Sequence, residues 1–469
     1  MNKKAILILL LIILFITALA SIFIKKLILL REGSYYKRPD YNVVLISLDT
    51  LRADHISAYG YKSTTSPNID EFADNAILFE NSFCNAVWTL PSHMSLMTSL
   101  YSSTHRVWDK NSKLSRSIKT IAQILKENEY LTAAFTGGAF VSKVFGFDKG
   151  FDLYRENYDV QIENPGQPLR LKHIEKDLFD WLENHSKDKF FLFIHCYDTH
   201  EPFIAHNYLK EFEQDYSGRL NFLNNHSDFI KHLDYEKYRS LIKDPLNINS
   251  FYRDVINENH IKLTEEDKNH IVFLYDNEIK FVDHYFGRLI AKLKNLSLMT
   301  KTIIILWSDH GEELLERGNI QHGGSTYEEL MRVPLIIYIP EYLGFGRNQA
   351  LAQSIDIAPT ILDVLNIKSE NDFKGIPLLS PEFACNKYVV CEQKGVDAIR
   401  TEKYKLMFNK RNYDVLLFNL ENDAGELKNI AESNPEIIEK LKKDLFDTLN
   451  RADLNKKLIK KLKTIGYIK

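Results

Sequence analysis

The stretch Val43-Val-Leu-Ile-Ser-Leu-Asp-Thr50 decides the fold, because an apolar, β-branched run ends directly in a carboxylate. Similar short apolar runs occupy residues 190–194, 302–307 and 335–339. Runs of this length without polar alternation are typical of strands buried on both faces. Between them, residues 269–296 repeat apolar side chains at roughly helical spacing. Strands that alternate with helices predict an α/β fold whose mostly parallel sheet is covered by helices.

A second strand ends in the same manner as the first. The run at 302–307 continues into Ser308-Asp-His-Gly-Glu312. Because the carboxyl ends of parallel strands meet at one edge of a sheet, Asp49, Asp309 and His310 predict a site for one divalent metal ion. Mixed oxygen and nitrogen ligands suit manganese, zinc or magnesium better than calcium. Taken singly, each residue would more often be a turn residue or a helix cap.

A third candidate lies in the segment Trp88-Thr-Leu-Pro-Ser-His93, which precedes an apolar helical pattern. Pro91 suits the first turn of a helix, which places Thr89 just before that helix, beside free backbone N–H groups. Anions bind readily there. A metal-bound hydroxyl of Thr89 could attack an anionic ester and carry the transferred group covalently, so Thr89 is predicted as metal ligand and nucleophile. The plain alternative is that Thr89 only caps the helix.

Composition excludes several classes of protein. The chain has 469 residues, of which 45% are hydrophobic and 26% charged, which rules out a wholly disordered or collagen-like chain. Sixty basic and sixty-three acidic residues leave a net charge of -3, so no nucleic-acid partner is expected. Four cysteines are too few for a disulfide framework, although Cys385 and Cys391 could pair.

The N-terminal segment predicts contact with a membrane. Residues 5–24 form an unbroken apolar run of about the length that spans a bilayer. A small-residue pattern at Ala18-Leu-Ala20 resembles a cleavage site, but the apolar run continues to Ile24. Residues 1–30 are therefore predicted as a transmembrane anchor or uncleaved signal. Lysines on both sides leave the orientation open from charge alone; the expectation is a membrane-anchored protein with an extracytoplasmic catalytic domain.

The rest of the chain divides into two predicted parts. Residues 40–385 are predicted as one catalytic domain, interrupted by a variable, Asn-rich insertion at 205–264. After residue 386 the pattern changes to short apolar segments followed by a helical stretch at 435–449. Residues 386–469 are therefore predicted as a small C-terminal α+β subdomain with a terminal helix.

In these motifs the sequence resembles the sulfatase branch of the alkaline-phosphatase superfamily. The matching segments keep their order over roughly 400 residues and occupy positions 42–54, 65–70, 88–105, 195–202, 275–283, 308–312 and 322–334. Segments 417–423 and 426–431 resemble the family's small C-terminal subdomain. The resemblance implies an alkaline-phosphatase-like α/β/α sandwich, with a metal at Asp49, Asp309 and His310 and Thr89 in the nucleophile position. It further implies that His200 contacts the transferred group, and His322 lies close to where many members place a basic residue. Charge stabilisation and leaving-group protonation are the roles expected of these two histidines.

The departures from the family pattern affect the chemistry. Sulfatases usually generate formylglycine from a cysteine or serine in Cys/Ser-x-Pro/Ala-x-Arg, whereas this chain has threonine at 89 and histidine at 93. Threonine cannot be oxidised to that aldehyde, so no formylglycine is expected. Thr50 stands where many calcium-dependent members carry another aspartate, and the usual Lys-x-His is absent near residues 136–138. These changes resemble the threonine-using members, such as phosphoethanolamine and phosphoglycerol transferases and some phosphodiesterases.

The sequence therefore predicts a metal-dependent hydrolase or transferase of an anionic ester, most simply a phosphoric monoester or diester, through a covalent Thr89 intermediate. One alternative is a sulfuric ester hydrolase that works without formylglycine. Another is a catalytically silent module that binds an anionic glycan or lipid head group. The sequence does not distinguish a glycan, a lipid head group and a small molecule as the substrate, nor water from an alcohol as the acceptor.

Overall fold

The computed structural model describes residues 38–156, 170–201, 263–380 and 385–451, together with Thr17, Phe203 and Ile256. The predicted anchor apart from Thr17, nearly all of the predicted insertion, and residues 452–469 lie outside the described residues. Within the described part of the chain, no helix is both long and apolar enough to cross a bilayer. The predicted anchor, location and domain boundaries stay predictions.

Strands and helices are interspersed along most of the described chain, and four consecutive strands precede the last helix. The strands are β1 (Asn42–Leu48), β2 (Ile77–Phe83), β3 (Leu131–Phe135), β4 (Leu153–Arg155), β5 (Phe190–Cys196), β6 (Thr302–Trp307), β7 (Glu313–Leu314), β8 (Ile320–Gln321), β9 (Leu335–Tyr338), β10 (Gly346–Gln353), β11 (Val389–Glu392), β12 (Val396–Arg400), β13 (Tyr404–Asn409) and β14 (Val415–Asn419). The helices are α1 (Pro67–Ala73), α2 (Thr89–Thr98), α3 (Ser102–His105), α4 (Ile121–Glu127), α5 (Leu171–Asn184), α6 (Glu265–Asn295), α7 (Glu328–Met331), α8 (Ile357–Val364) and α9 (Pro435–Thr448).

The central sheet has eight strands in the order β10-β2-β9-β6-β1-β5-β3-β4. Among its described pairs, β9 runs antiparallel to β2 and to β6, and every other neighbouring pair is parallel. The predicted mostly parallel sheet is confirmed. Each of the four apolar runs found in the sequence forms one of its inner strands.

Both faces of the sheet are buried. Successive side chains of a strand point to opposite faces, so Val44 and Ile46 pack into a core shared with α5 and α6. Val43 and Leu45 pack into a second core shared with α2, α4 and α8. Full burial of such aliphatic side chains stabilises the fold by about 1.5–3 kcal/mol each. Helices therefore cover both faces, and the predicted α/β/α sandwich is confirmed.

Helix α6 fixes the turn that follows β1. The helix begins at Glu265, four residues before the predicted start, because Thr264 and Asp267 form a capping box. Further along, the hydroxyl of Tyr275 donates to the backbone oxygen of Thr50 at 2.7 Å and accepts from the backbone N–H of Arg52 at 2.8 Å. The long helix thus holds the chain immediately after Asp49.

A small antiparallel sheet, in the order β11-β12-β13-β14, follows the central sheet. Helix α9 covers it through Leu441, Leu445 and Phe446, which form a third core. Fully buried Lys405 links this sheet to α7, since its Nζ lies 3.2 Å from Glu328 Oε1 and 2.8 Å from Glu426 Oε1. The predicted combination of a parallel sandwich and a smaller C-terminal α+β unit is confirmed.

The cysteines of the structure are free thiols. Cys385 is exposed and Cys391 is buried, so these two do not pair. The pairing that their spacing allowed is not found.

The β7–β8 hairpin carries a buried carboxylate that makes stability depend on pH. Burial, reinforced by Glu329 and Glu316, raises the pKa of Glu313 to about 7. Because the pKa of Glu313 is raised in the folded state, its contribution to the free energy of unfolding is most favourable below about pH 4.5. This contribution is lost as the pH rises through 7. Glu313→Gln is therefore expected to raise the melting temperature at pH 8, by the equivalent of about 2–3 kcal/mol, and to change it little at pH 5.

Thermal denaturation at the two pH values measures this difference. The exposed Glu370→Gln is the matched control, for which we expect no pH-dependent gain. An equal shift of Glu313→Gln at both pH values would contradict the assignment.

Candidate active site

The site lies where three neighbouring strands end at the same level. Parallel pairing places Ser47 of β1 beside His195 of β5 and Trp307 of β6. Asp49 therefore lies next to Asp309. The backbone N–H of Asp49 donates to the carbonyl of Cys196 at 3.1 Å. This edge is where ligands collect in parallel sheets.

The four residues predicted as metal ligands come together here. Candidate ligand atoms of Asp49, Asp309 and His310 lie within 4.8 Å of one another, and all three side chains are completely buried. The Thr89 Oγ1 atom lies 3.4 Å from Nε2 of His310. Asp49 and His310, which are 261 positions apart in the sequence, thus line the same small space.

Unpaired oxygens point to a cation at this place. Among the described residues, Asp49 Oδ1, Thr50 Oγ1 and Asp309 Oδ2 are buried and have no hydrogen-bond partner. Burial, and then the charges of Asp309 and Glu201, hold the pKa of Asp49 well above its usual range. Two carboxylates buried together are costly unless a positive charge compensates them. Their oxygens with an imidazole nitrogen form a donor set that fits a divalent metal ion.

His310 offers a free nitrogen to this space. Its Nδ1 lies 2.9 Å from the backbone oxygen of Gly311 and donates to it, which leaves the lone pair on Nε2. Nε2 lies 3.2 Å from Oδ2 of Asp309. Burial lowers the pKa of His310 to about 3, so the imidazole is neutral at physiological pH and can ligate a metal.

The turns beside the candidate metal ligands are tightly constrained. A Cβ on Gly311 would lie 1.9 Å from the backbone oxygen of Glu329, so only glycine fits between His310 and α7. Thr50 has a φ of 58°, a left-handed conformation that is unfavourable for a β-branched residue. Its backbone N–H donates to Asp309 Oδ1 at 3.2 Å, which ties the two strand ends together.

His195 orients Asp49. The backbone N–H of Gly137 donates to His195 Nδ1 at 3.2 Å, so the ring proton is on Nε2, which donates to Asp49 Oδ2 at 3.1 Å. Asp49 Oδ1 is thereby left for another partner. Sequence reasoning gave His195 no role, although its place at the end of a buried strand was a usable signal. A Cβ on Gly137 would lie 2.4 Å from the Tyr197 ring, so the glycine lets this backbone N–H approach His195 closely.

Helix α2 presents Thr89 at its first turn. The helix begins at Thr89 with Trp88 as its N-cap, one residue earlier than predicted, so Thr89 is the first helical residue. Pro91 then occupies the third position, where its missing N–H would have had no helical partner. The hydroxyl of Ser92 donates to the backbone oxygen of Asp309 at 2.6 Å. This bond attaches the start of α2 to the end of β6.

His93 stands where the formylglycine motif has arginine. Its Nδ1 donates to the backbone oxygen of Thr89 at 2.9 Å, and its Nε2 accepts from the Ser47 hydroxyl at 2.9 Å. Burial lowers the pKa of His93, although nearby Asp309 opposes the shift. His93 therefore holds the first turn of α2 in place as a neutral ring and does not supply the positive charge of an arginine.

The two histidines predicted as catalytic residues lie beside the ligand cluster. The ring centroid of His322 is 4.3 Å from that of His310 and 5.0 Å from that of His200. Burial and the neighbouring His310 hold the pKa of His322 well below its usual range. His200 is 18% exposed, whereas the other members of the cluster are more deeply buried.

Two glutamates accompany these histidines. Glu312 Oε1 lies 3.1 Å from Nδ1 of His322, and Glu201 Oε2 lies 3.2 Å from Nδ1 of His200. Both glutamates are buried, and neither was assigned a role from the sequence. Their positions in the sequence could have indicated a role, since Glu201 directly follows His200 and Glu312 ends the motif that begins with Ser308 and Asp309.

Comparison with known proteins places this site in a family. The sulfatase family matches residues 41–367, and the C-terminal region of N-sulphoglucosamine sulphohydrolase matches residues 324–453. Arylsulfatase K of Bos taurus is 23% identical over a 455-residue alignment that covers 90% of this chain and 84% of that protein. An N-acetylglucosamine-6-O-sulfatase of Bacteroides thetaiotaomicron is 25% identical over 395 residues, covering 73% of this chain and 70% of the relative.

Solved structures share the fold. A phosphonate monoester hydrolase of Agrobacterium radiobacter superposes with a TM-score of 0.69 at 20% identity, covering 88% of this chain and 96% of that one. A protein in complex with its substrate D-glucosamine-2-N,6-O-disulfate gives a TM-score of 0.67 at 19% identity, with 88% and 99% covered. The sandwich is therefore alkaline-phosphatase-like. Since the sulfatase family matches about 70% of the chain, from before Asp49 to beyond His322, the protein belongs to the sulfatase family, the metal-dependent ester-bond enzymes of the alkaline-phosphatase superfamily.

Proposed function

We propose that the protein cleaves or transfers a phosphoric-type ester by way of a covalent intermediate on Thr89. The observation that carries this proposal is the Thr89 hydroxyl, 3.4 Å from His310 Nε2 at the edge of a buried carboxylate pair. A hydroxyl at the first turn of a helix lies near the positive end of the helix dipole, where an anionic ester binds favourably.

Asp49, Thr89, Asp309 and His310 would hold one divalent cation, with manganese, zinc or magnesium preferred over calcium because one ligand is an imidazole nitrogen. Such a cation, when bound, lowers the pKa of an attached hydroxyl and offsets the charge of an anionic ester. His195 keeps Asp49 in its orientation through the bond to Oδ2. His93 and Ser92 hold the first turn of α2 against β1 and β6.

Thr89, His200 and His322 have separate roles in the proposed reaction. Thr89 Oγ1 releases its hydroxyl proton to water and, as the alkoxide, forms a bond to phosphorus while the bond from phosphorus to the leaving oxygen breaks. His200 lies at the more exposed side of the cluster and is placed to donate a proton to that oxygen. Water or an alcohol then attacks phosphorus, its proton passes to His200, and the bond from phosphorus to Thr89 Oγ1 breaks, which returns both residues to their starting forms. His322, beside His310 and Glu312, would position the transferred group.

A sulfuric ester is the second candidate, and the names of the sequence relatives favour it. The chemistry of Thr89 favours phosphorus. A sulfated threonine is an ordinary alkyl sulfate and lacks the second hydroxyl through which formylglycine releases sulfate. A silent binding module is the least favoured reading, because it would not require Thr89, Asp49, Asp309 and His310 to converge.

Parallel assays of one purified preparation test the proposal. An aryl phosphodiester, an aryl phosphonate monoester and an aryl sulfate are each incubated with the protein and Mn²⁺, Zn²⁺ or Mg²⁺. We expect kcat/KM to be at least about 100-fold higher for a phosphorus ester than for the sulfate. Mass spectrometry of protein quenched during turnover is expected to find the adduct on the peptide that contains Thr89.

Faster turnover of the aryl sulfate would favour the sulfatase alternative. A protein that binds the metal and all three esters but turns over none would favour the silent module.

A further inference from the structure

Cys84 and Cys391 belong to different parts of the fold but face the same core. Cys84 directly follows β2 of the central sheet, and Cys391 lies in β11 of the C-terminal sheet. Successive side chains of a strand point to opposite faces, so Val390 packs beneath α9, whereas Cys391 points into the core that also holds Cys84. Both cysteines are completely buried. The two side chains therefore meet at the junction between the sandwich and the C-terminal sheet.

Hydrogen bonds hold the two chain segments side by side at this junction. The backbone N–H of Glu392 donates to the backbone oxygen of Asn85 at 2.8 Å, and the side-chain amide of Asn85 donates to the backbone oxygen of Val390 at 2.8 Å. Cys84 directly precedes Asn85, and Cys391 lies between the two residues that Asn85 contacts. The thiols of Cys84 and Cys391 are hydrogen-bonded to each other in the core.

Adjacent thiols on fixed backbones have the arrangement that a disulfide requires, because this bond tolerates only a narrow range of separations. The other two cysteines have different surroundings, since Cys385 is exposed and the thiol of buried Cys196 is hydrogen-bonded to Asp198. Burial, and then the hydrogen bond with Cys391, raises the pKa of the Cys84 thiol well above its usual range. Thiolate is the reactive form, so we expect oxidation to be slow in the folded protein and faster during folding.

We propose that Cys84 and Cys391 are a site of oxidative cross-linking, at which exchange with a small-molecule disulfide joins the chain before α2 to the C-terminal sheet. One cysteine, as its thiolate, attacks a sulfur of the small disulfide and displaces one thiolate. The other cysteine, also as its thiolate, attacks the resulting mixed disulfide, displaces the second small thiolate and closes the bond from Cys84 to Cys391. The two cysteine protons pass to the displaced thiolates. The cysteine pair loses two electrons, which reduce the small disulfide to two thiols.

The cross-link would close a long loop, from residue 84 to residue 391, between two units that otherwise meet through non-covalent contacts. Closing a loop restricts the unfolded chain and so stabilises the folded one. Cys84 precedes Thr89 by five positions, so the bond would keep the C-terminal sheet fixed against the chain that leads to Thr89. The inference does not rest on the proposed function, because it concerns thiol chemistry at a place that contains no proposed catalytic group.

Oxidation of the full-length Cys385→Ser protein tests the proposal, because this substitution removes the exposed thiol that would form mixed disulfides. Oxidised glutathione is added to the folded protein and, separately, during refolding from urea. Each sample is quenched with N-ethylmaleimide in urea and digested without reduction. We expect mass spectrometry to find the peptides of Cys84 and Cys391 linked to each other and Cys196 alkylated, with the link forming faster during refolding. The linked form should melt about 3–8 °C above the same protein kept in dithiothreitol.

Further substitutions in the same background provide the controls. Cys84→Ser and Cys391→Ser should each lose the cross-link and the gain in melting temperature. Cys196→Ser also removes a fully buried cysteine and should keep both. Peptide mapping leaves Cys84 and Cys391 unchanged, so it decides the question even where a serine variant does not fold. If both peptides carried only N-ethylmaleimide after both treatments, the pair would not be a cross-linking site, and a link without a higher melting temperature would overturn its stabilising effect.

Discussion

Thr89→Ala is expected to lower kcat on an aryl phosphorus ester by at least about 10⁴-fold, because the substitution removes the atom that forms the covalent bond. Asp49, Asp309 and His310 remain, so the variant should still bind a divalent cation, with weaker affinity. The adduct on the peptide containing residue 89 should be absent. Initial rates, metal content after dialysis and intact mass measure these three expectations.

Two controls separate the hydroxyl of Thr89 from its place in the helix. Thr89→Ser keeps the nucleophilic oxygen and should retain turnover within about tenfold of wild type. Thr98→Ala makes the same change at the other end of α2, where the buried hydroxyl donates only to the Met94 carbonyl at 2.7 Å. It should cost about 1 kcal/mol of stability and leave the rate unchanged. Wild-type rates in Thr89→Ala would overturn the mechanism.

Four of the six inner strands, β1, β5, β6 and β9, were predictable because both of their faces are buried. Strands such as β1 and β6 are apolar throughout, and burial on two faces leaves no room for polar alternation. Strand β2 was not predicted, since Glu80 and Asn81 interrupt its apolar pattern. Strand β10, at the edge of the sheet, begins with exposed polar residues and escaped prediction for the same reason. The antiparallel direction of β9 depends on pairing between distant segments, which no local pattern reports.

The sequence predicts those candidate site residues that directly follow a buried strand. Asp49 and the pair Asp309-His310 follow buried strands directly, and parallel pairing brings them together. The hydrogen bonds that hold these candidate ligands could not be predicted, because they are tertiary contacts. The bond from His195 Nε2 to Asp49 depends on the N–H of Gly137, and His93 acquires its partner Ser47 only after α2 packs on the sheet.

The second large effect is expected from Asp309→Asn, which changes one charge at almost constant shape. The amide oxygen can still accept from the Thr50 N–H, but the site loses half of the carboxylate charge that Asp49 and Asp309 provide. We expect affinity for Mn²⁺ to fall at least about 100-fold and turnover to fall with it. Metal titration followed by a rate measurement at saturating Mn²⁺ distinguishes lost affinity from lost chemistry.

Asp283→Asn is the matched control, because Asp283 is also a buried aspartate whose oxygens accept from backbone N–H groups, here those of Asn68 and Ile69 at the start of α1. It should leave the affinity for Mn²⁺ unchanged. Burial raises the pKa of Asp283 to about 6, so the neutral amide should cost little stability below that pH. If Asp309→Asn bound Mn²⁺ as tightly as Asp283→Asn does, the cluster at the ends of β1 and β6 would not be the metal site. The unpaired oxygens of Asp49 and Asp309 would then require a different partner.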